Sequence, residues 1–184
     1  MGKLKARTSN TVRVIGGSHR GRVLRFPDVP GLRPTPDRVR ETLFNWLGQR
    51  LGGLVCLDAF AGSGALGFEA ASRGAARVVM LEHERQAHES LLVNARALAL
   101  SGVEVLRREA KSFLASPGEA YDLIFLDPPF ADDLLPPILA LAATRLAPDG
   151  RIYAESPRPL APVGMTVLRQ GRAGLSHFCL LEPA

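Results

Sequence analysis

From residue 54 onward, apolar runs of strand length alternate with stretches of helical periodicity, and that alternation leaves few folds open. The runs are "LVCLDAF" (54–60), "RVVMLE" (77–82), "VEVLRR" (103–108), "YDLIFLD" (121–127) and "GRIYAES" (150–156). Helical segments fall between them at about 64–73, 85–100, 110–116 and 134–147. Strands that are apolar throughout need cover on both faces, so repeated strand–helix units predict a mainly parallel, doubly wound α/β sheet. The final stretch, "MTVLRQGRAGLSHFCLLEP" (165–183), reads as two strands around a Gly-containing turn and adds an antiparallel C-terminal edge strand.

The first third of the chain is organised differently. Residues 1–11 read as a disordered basic tail, and "TVRVIGGSHRGRVLRFP" (11–27) as a β-hairpin whose arginines lie on one face and around the turn. In "GLRPTPDRVRETLFNWLGQRL" (31–51), Thr35 is the expected N-cap of a helix, Pro36 its first residue and Asp37 part of its first turn. Val39, Leu43, Trp46 and Leu47 form its apolar stripe. The expected division is a basic, RNA-binding extension over 1–34 and a Rossmann-like domain over 35–184.

Charge supports that division. Residues 1–57 hold 11 basic and 3 acidic groups, while the remainder holds 12 and 15. A basic end on an otherwise acidic chain suits a polyanion partner. No run reaches the ~18–20 apolar residues of a membrane span, and the N-terminus lacks an apolar signal region. Cys56 and Cys179 sit in apolar runs without metal-ligand spacing, so two buried reduced thiols, no metal and a cytoplasmic protein are expected.

"LDAFAGSGALG" follows a strand and opens a helix, and Gly62, Gly64 and Gly67 make a literal G-x-G-x-x-G. Asp58, four residues before Gly62, separates this turn from a pyrophosphate site, where an acid is unwelcome. A cofactor carrying an ammonium and a sulfonium accepts a carboxylate there. With Phe60 and Ala61 in the turn, "DAFAGSGALG" resembles the first motif of Rossmann-like methyltransferases, which bind S-adenosylmethionine. Glu82, 20 residues after Gly62, stands where an acid accepts hydrogen bonds from ribose hydroxyls. Glu109 and Ala110, after the third run, stand at the usual adenine-contact position, although an acid there also suits a helix cap.

"YDLIFLDPPF" ends a core strand on Asp127, followed by Pro128, Pro129 and Phe130. It falls beside the first strand of the series, at the switch point where open α/β sheets bind ligands. An exocyclic amine on a planar base is a poor nucleophile because its lone pair is delocalised. Asp127 and the Pro128 carbonyl can accept its two N–H bonds, the prolines keep the turn rigid, and Phe130 can stack on the extruded base. Whether Asp127 also takes the proton is open at this point.

Together these motifs resemble the RsmD family of bacterial 16S ribosomal RNA guanine-N2 methyltransferases, over nearly the whole chain. The most specific part is "VRVIGGSHRGR" followed by "GLRPTPDRVRETLFNWL". The resemblance implies S-adenosylmethionine as donor and a guanine of 16S rRNA as acceptor, in the small subunit or its assembly intermediate. A monomer working without membrane or metal is expected. The resemblance places Asp127, Pro128, Pro129 and Phe130 at the base, Asp58, Gly62 and Gly64 at the methionine portion, Glu82 at the ribose, and Glu109 with Ala110 at the adenine. Arg33, Pro34 and Thr35 match the segment that closes over the cofactor, and Arg20, Arg22 and Arg38 would contact RNA. Glu84 stands where the family often has Asp, which loosens the motif around Glu82. His19 and His83 receive no catalytic role. The alternatives are a DNA-adenine or protein-glutamine N-methyltransferase, a non-catalytic ribosome-assembly protein, and a NAD-dependent reductase, the last disfavoured by Asp58.

Overall fold

The structure, a computed structural model, describes residues 10–129 and 134–184. Nine strands are present among them: β1 (Asn10–Arg13), β2 (Val23–Phe26), β3 (Val55–Asp58), β4 (Arg77–Leu81), β5 (Val103–Leu106), β6 (Tyr121–Leu126), β7 (Leu146–Ser156), β8 (Met165–Ala173) and β9 (Ser176–Pro183). The helices are α1 (Asp37–Trp46), α2 (Ala65–Ser72), α3 (Arg85–Ala97), α4 (Ala110–Ala115) and α5 (Leu135–Ala143). The expected tail at 1–11 falls almost wholly outside the described residues, as does Phe130.

Seven strands make one sheet in the order β5-β4-β3-β6-β7-β9-β8. The first five run parallel, and the C-terminal hairpin closes the edge with β9 antiparallel to both β7 and β8. Successive side chains of a strand point to opposite faces. Cys56, Val78, Leu123 and Phe125 therefore enter a core with α1, α2 and α3, while Leu57, Val79, Ile124 and Leu126 enter one with α4 and α5. This is the doubly wound arrangement expected of continuously apolar strands. Both cysteines are buried and unpaired.

The hairpin forms its own two-stranded sheet, with Thr11 opposite Arg25 and Val12 opposite Leu24. Thr11, Arg13, Val23 and Arg25 face outward, whereas Val12, Val14, Leu24 and Phe26 join the core of α1, α2 and α3. Its backbone is fastened to the helices at many points. The Ile15 amide donates to Glu69 (2.9 Å), the His19 amide to Ser72 (2.9 Å), and Asn94 exchanges hydrogen bonds with Arg25. A side chain on Gly17, at φ +75, would put its Cβ 1.9 Å from the Ser72 carbonyl, so only glycine lets this turn approach α2.

Three local expectations change. Thr35 does not cap α1: Pro36 precedes the helix and no side chain caps it. The Thr35 hydroxyl is turned instead toward two acids, as described below. Helix α3 stops at Ala97 because Ala99 takes a left-handed conformation (φ 51). His19 Nε2 contacts the Leu98 carbonyl (2.8 Å) and Arg22 donates to that of Ala97 (3.1 Å), so basic groups meet the negative end of the helix. Helix α5 ends at Ala143 and β7 begins at Leu146; between them the Arg145 side chain donates to the Glu119, Phe113 and Ser116 carbonyls. Among the described residues, no helix is long and apolar enough to cross a membrane.

Candidate active site

The carboxyl ends of the parallel strands line up along one edge of the sheet, and four of them carry an acid. Asp58 closes β3, Glu82 follows β4, Asp127 follows β6 and Glu155 lies near the end of β7. Strand order reverses between β3 and β6, which places this edge at the topological switch point.

Asp58 is buried, and its Oδ2 accepts from the Gly67 amide at 2.9 Å. Its Oδ1 has no hydrogen-bond partner among the described residues. Burial pushes its pKa up to about 7 and the charge of Glu82 adds to the effect, against the pull of the Gly67 hydrogen bond and the nearby Phe60 amide. An unpartnered buried carboxylate oxygen is costly unless a cation or donor reaches it.

The glycine turn is held from both sides. The Ala59 amide donates to the Phe125 carbonyl (3.1 Å), and the Ala61 amide to that of Leu81 (2.9 Å). Glu82 accepts from the Gly62 amide at 3.0 Å and the Glu84 amide at 2.8 Å, so this acid braces the turn as well as facing the site. Glu84 itself caps α3 through the Ala87 amide. Gly64 has φ +83, and a Cβ there would strike Phe68 at 2.5 Å and Leu91 at 2.8 Å. Leu32 lies 3.8 Å from where a Cβ on Gly62 would sit, so the segment before α1 passes over the turn. Within it Arg33 is exposed, Pro34 half-buried and Thr35 buried.

Glu109 is exposed and accepts from the Lys111 and Ser112 amides, both at 2.8 Å. It is the cap of α4, with Ala110 buried beneath it. Those hydrogen bonds hold its pKa low despite an opposing desolvation cost, the largest single contribution.

Asp127 is half-buried, Pro128 buried and Pro129 exposed. Leu126 pairs with Ala154, so Asp127 and Glu155 are the next neighbours along the β6–β7 ladder. The Thr35 hydroxyl stands 3.2 Å from Asp127 Oδ2 and 3.2 Å from Glu155 Oε1. Glu155 also accepts from Tyr153 (2.8 Å) and Ser176 (3.1 Å). Burial raises the pKa of Asp127 well above the usual carboxylate range, and the Glu155 charge raises it further. Burial raises Glu155 too, opposed by its three hydroxyl donors.

Thr35 is set in place from below. Arg40, fully buried on α1, donates to the Thr35 carbonyl (3.1 Å), to Asp37 (2.5 Å) and to Glu69 (3.2 Å). Phe44, Phe125, Tyr153 and Phe178 form a chain of rings 6.3 to 6.4 Å apart that packs α1 over β6, β7 and β9. Of the expected site, Asp58, Phe60, Ala61, Gly62, Gly64, Glu82, Thr35, Asp127 and Pro128 come together at this edge, while Arg20 and Arg22 lie on the hairpin and Arg38 on the exposed side of α1. Glu155, Tyr153, Arg40 and Glu69 are not singled out by the sequence reading. Arg40 lies three residues before Leu43 on the apolar stripe, and Glu155 ends a strand on an acid as Asp58 and Glu82 do. Those are the signals that could have found them.

Known proteins resemble this chain over the same extent. The family model described as Conserved hypothetical protein 95 matches residues 12–182. The Escherichia coli K12 protein named Ribosomal RNA small subunit methyltransferase D is 44% identical over 180 residues, spanning 95% of this chain and 91% of that protein. The Haemophilus influenzae protein of the same name is 39% identical over 180 residues, spanning 93% of each. The solved structure of yhhF from Escherichia coli superposes with a TM-score of 0.84 at 42% identity, covering 95% of this chain and 98% of that one. The chain belongs to the RsmD family of methyltransferases.

Proposed function

We propose that this protein methylates the exocyclic N2 amine of one guanine in 16S rRNA, using S-adenosylmethionine. The observation that carries the reading is the placement of Asp127 and Pro128 beside the Asp58 cradle, across the switch point of the sheet. The cofactor fits the residues present. The orphaned Asp58 Oδ1 would receive the ammonium group, Glu82 keeps lone pairs for ribose hydroxyls, and the edge at Glu109–Ala110 would meet the adenine. Arg33, Pro34 and Thr35 would close over it. When bound, the cofactor supplies an electrophilic methyl group on a sulfonium.

The chain's own residues do the rest. Asp127 and the Pro128 carbonyl accept the two N–H bonds of the amine and turn its lone pair toward the donor. Pro128 and Pro129 fix that geometry, and Phe130, outside the described residues, would stack on the flipped base. The outward face of the hairpin and Arg20, Arg22 and Arg38 would hold the RNA backbone. The names of the relatives support an rRNA substrate, and the basic N-terminal third supports a nucleic acid over a protein.

The test is methyl transfer from labelled cofactor to undermethylated small subunits, DNA and protein in parallel, with nucleoside mass spectrometry of the product. N2-methylguanosine in 16S rRNA is expected. Label in DNA alone, or in protein alone, would overturn the assignment.

A further inference from the structure

Two acids on adjacent strands converge on one hydroxyl, and that hydroxyl has one proton. Thr35 Oγ1 lies 3.2 Å from Asp127 and 3.2 Å from Glu155, so it donates to one carboxyl while it can accept from the other. Glu155 has two further donors in Tyr153 and Ser176, whereas Thr35 is the side-chain donor that reaches Asp127 among the described residues. We propose that Thr35 and Glu155 are positioning residues that set the proton-accepting state of Asp127, the three groups sharing the proton released by the acceptor amine. The proposal rests on the methyl-transfer reading above.

Atoms and charges balance in this step. The nitrogen lone pair forms the new N–C bond, the electrons of the breaking C–S bond return to sulfur, and one N–H proton passes to the Asp127 carboxylate. Thr35 then accepts that proton from Asp127 while giving its own to Glu155 Oε1. Glu155 lines a groove of about 440 Å³ with Pro128, Pro129, Leu135 and Leu139, and the proton leaves to water there. Asp127 is thereby returned to the ionised form that can accept the next amine.

The groups facing the pair come from four elements. Asp58 of β3 and Glu155 of β7 add negative charge beside Asp127, and Thr35 gives it a hydrogen bond. Tyr153 of β7 and Ser176 of β9 donate to Glu155, with Cys179 of β9 next to Tyr153. This arrangement makes opposite predictions for the two neighbours of Asp127. Glu155→Gln removes a like charge, so Asp127 titrates at lower pH. Thr35→Val removes a donor to the ionised form, so Asp127 titrates at higher pH. Thr35→Ser restores the wild-type midpoint.

The measurement is a carboxyl-carbon NMR titration of the cofactor-free protein, followed by the pH dependence of single-turnover methyl transfer. The acid limb of the rate profile should follow the titration, moving down in Glu155→Gln and up in Thr35→Val, where the rate at a fixed pH on that limb falls about tenfold per unit. If Thr35→Val does not fold, Glu155→Gln and Thr35→Ser still decide. Asp127 titrating unchanged in Glu155→Gln would overturn the proposal, as would shifts of the same sign in both variants. Loss of rate at all pH values without a moved midpoint would reduce both residues to packing, and also overturns it. Absence of methyl transfer by the wild-type protein would instead sink the functional reading, since the titration needs no donor.

Discussion

Replacing Asp58 with asparagine tests the cofactor cradle through folding stability, without any methyl transfer. In the unfolded chain an aspartate titrates near 3.8, whereas burial holds the folded Asp58 near 7. Between those values the unfolded chain ionises and the folded one does not, so the wild-type protein loses stability as pH rises. The loss is about 1.4 kcal/mol per pH unit over roughly three units, close to 4 kcal/mol in total, and it levels off above pH 7. An asparagine side chain does not ionise, so Asp58→Asn escapes this loss. The substitution leaves an amide N–H₂ where Oδ1 stands, a constant cost of about 1–3 kcal/mol. The variant should therefore be the less stable protein at pH 4 and the more stable one at pH 8, by about 1–3 kcal/mol in each direction. Urea unfolding of the cofactor-free proteins at several pH values reads this directly. Asp127 and Glu155 are present in both proteins, so their own titrations largely cancel in the difference. Added S-adenosylmethionine should stabilise the wild type and do much less for Asp58→Asn, which offers the ammonium group no charge. A stability difference that stays constant from pH 4 to 8 would refute the account of Asp58.

Asp127→Ala should abolish methyl transfer while calorimetry finds cofactor affinity within a few-fold of wild type; near-normal turnover would remove the residue from its assigned role. Replacing both Arg20 and Arg22 with Ala should weaken binding to 16S rRNA and reduce the slope of log affinity against log salt by between about one and two. An unchanged slope would take the hairpin out of the RNA site. Glu69→Leu should cost about 3–5 kcal/mol in urea unfolding, because it strands the buried Arg40 and leaves the Ile15 amide without its acceptor. A loss under about 1 kcal/mol would mean that the network contributes little to holding the hairpin.

The parts of the fold legible in the sequence are those written in local periodicity. Continuous apolar strands and striped helices disclose the parallel sheet, and the Gly-rich turn and the Asp-Pro-Pro segment fall where strand ends put them. What stays hidden depends on contacts across long chain separations. Thr35 reads locally as an N-cap because its own neighbours suit one, and only the juxtaposition of residues 35, 127 and 155 gives its hydroxyl better partners. Arg40 looks like a surface charge on a helix until Glu69, 29 residues away, is brought against it. Glu109 is ambiguous between ligand and cap because both roles ask for an acid before a helix; its two amide hydrogen bonds show the capping role and do not bear on the proposed adenine contact.

The hairpin's docking also bears on how such proteins can be rebuilt. Its outward face is the proposed RNA-reading surface, yet its inward residues Val12, Val14, Leu24 and Phe26 are part of the main core. Excising or transplanting it alone would uncover apolar surface on α2 and α3 and strand the partners of Ile15, His19 and Arg25. The smallest exchangeable piece is therefore the hairpin together with the helix faces beneath it. A chimera that exchanges the hairpin should carry that whole block, since a cut near residue 34 separates Val12, Val14, Leu24 and Phe26 from the helix faces they pack on.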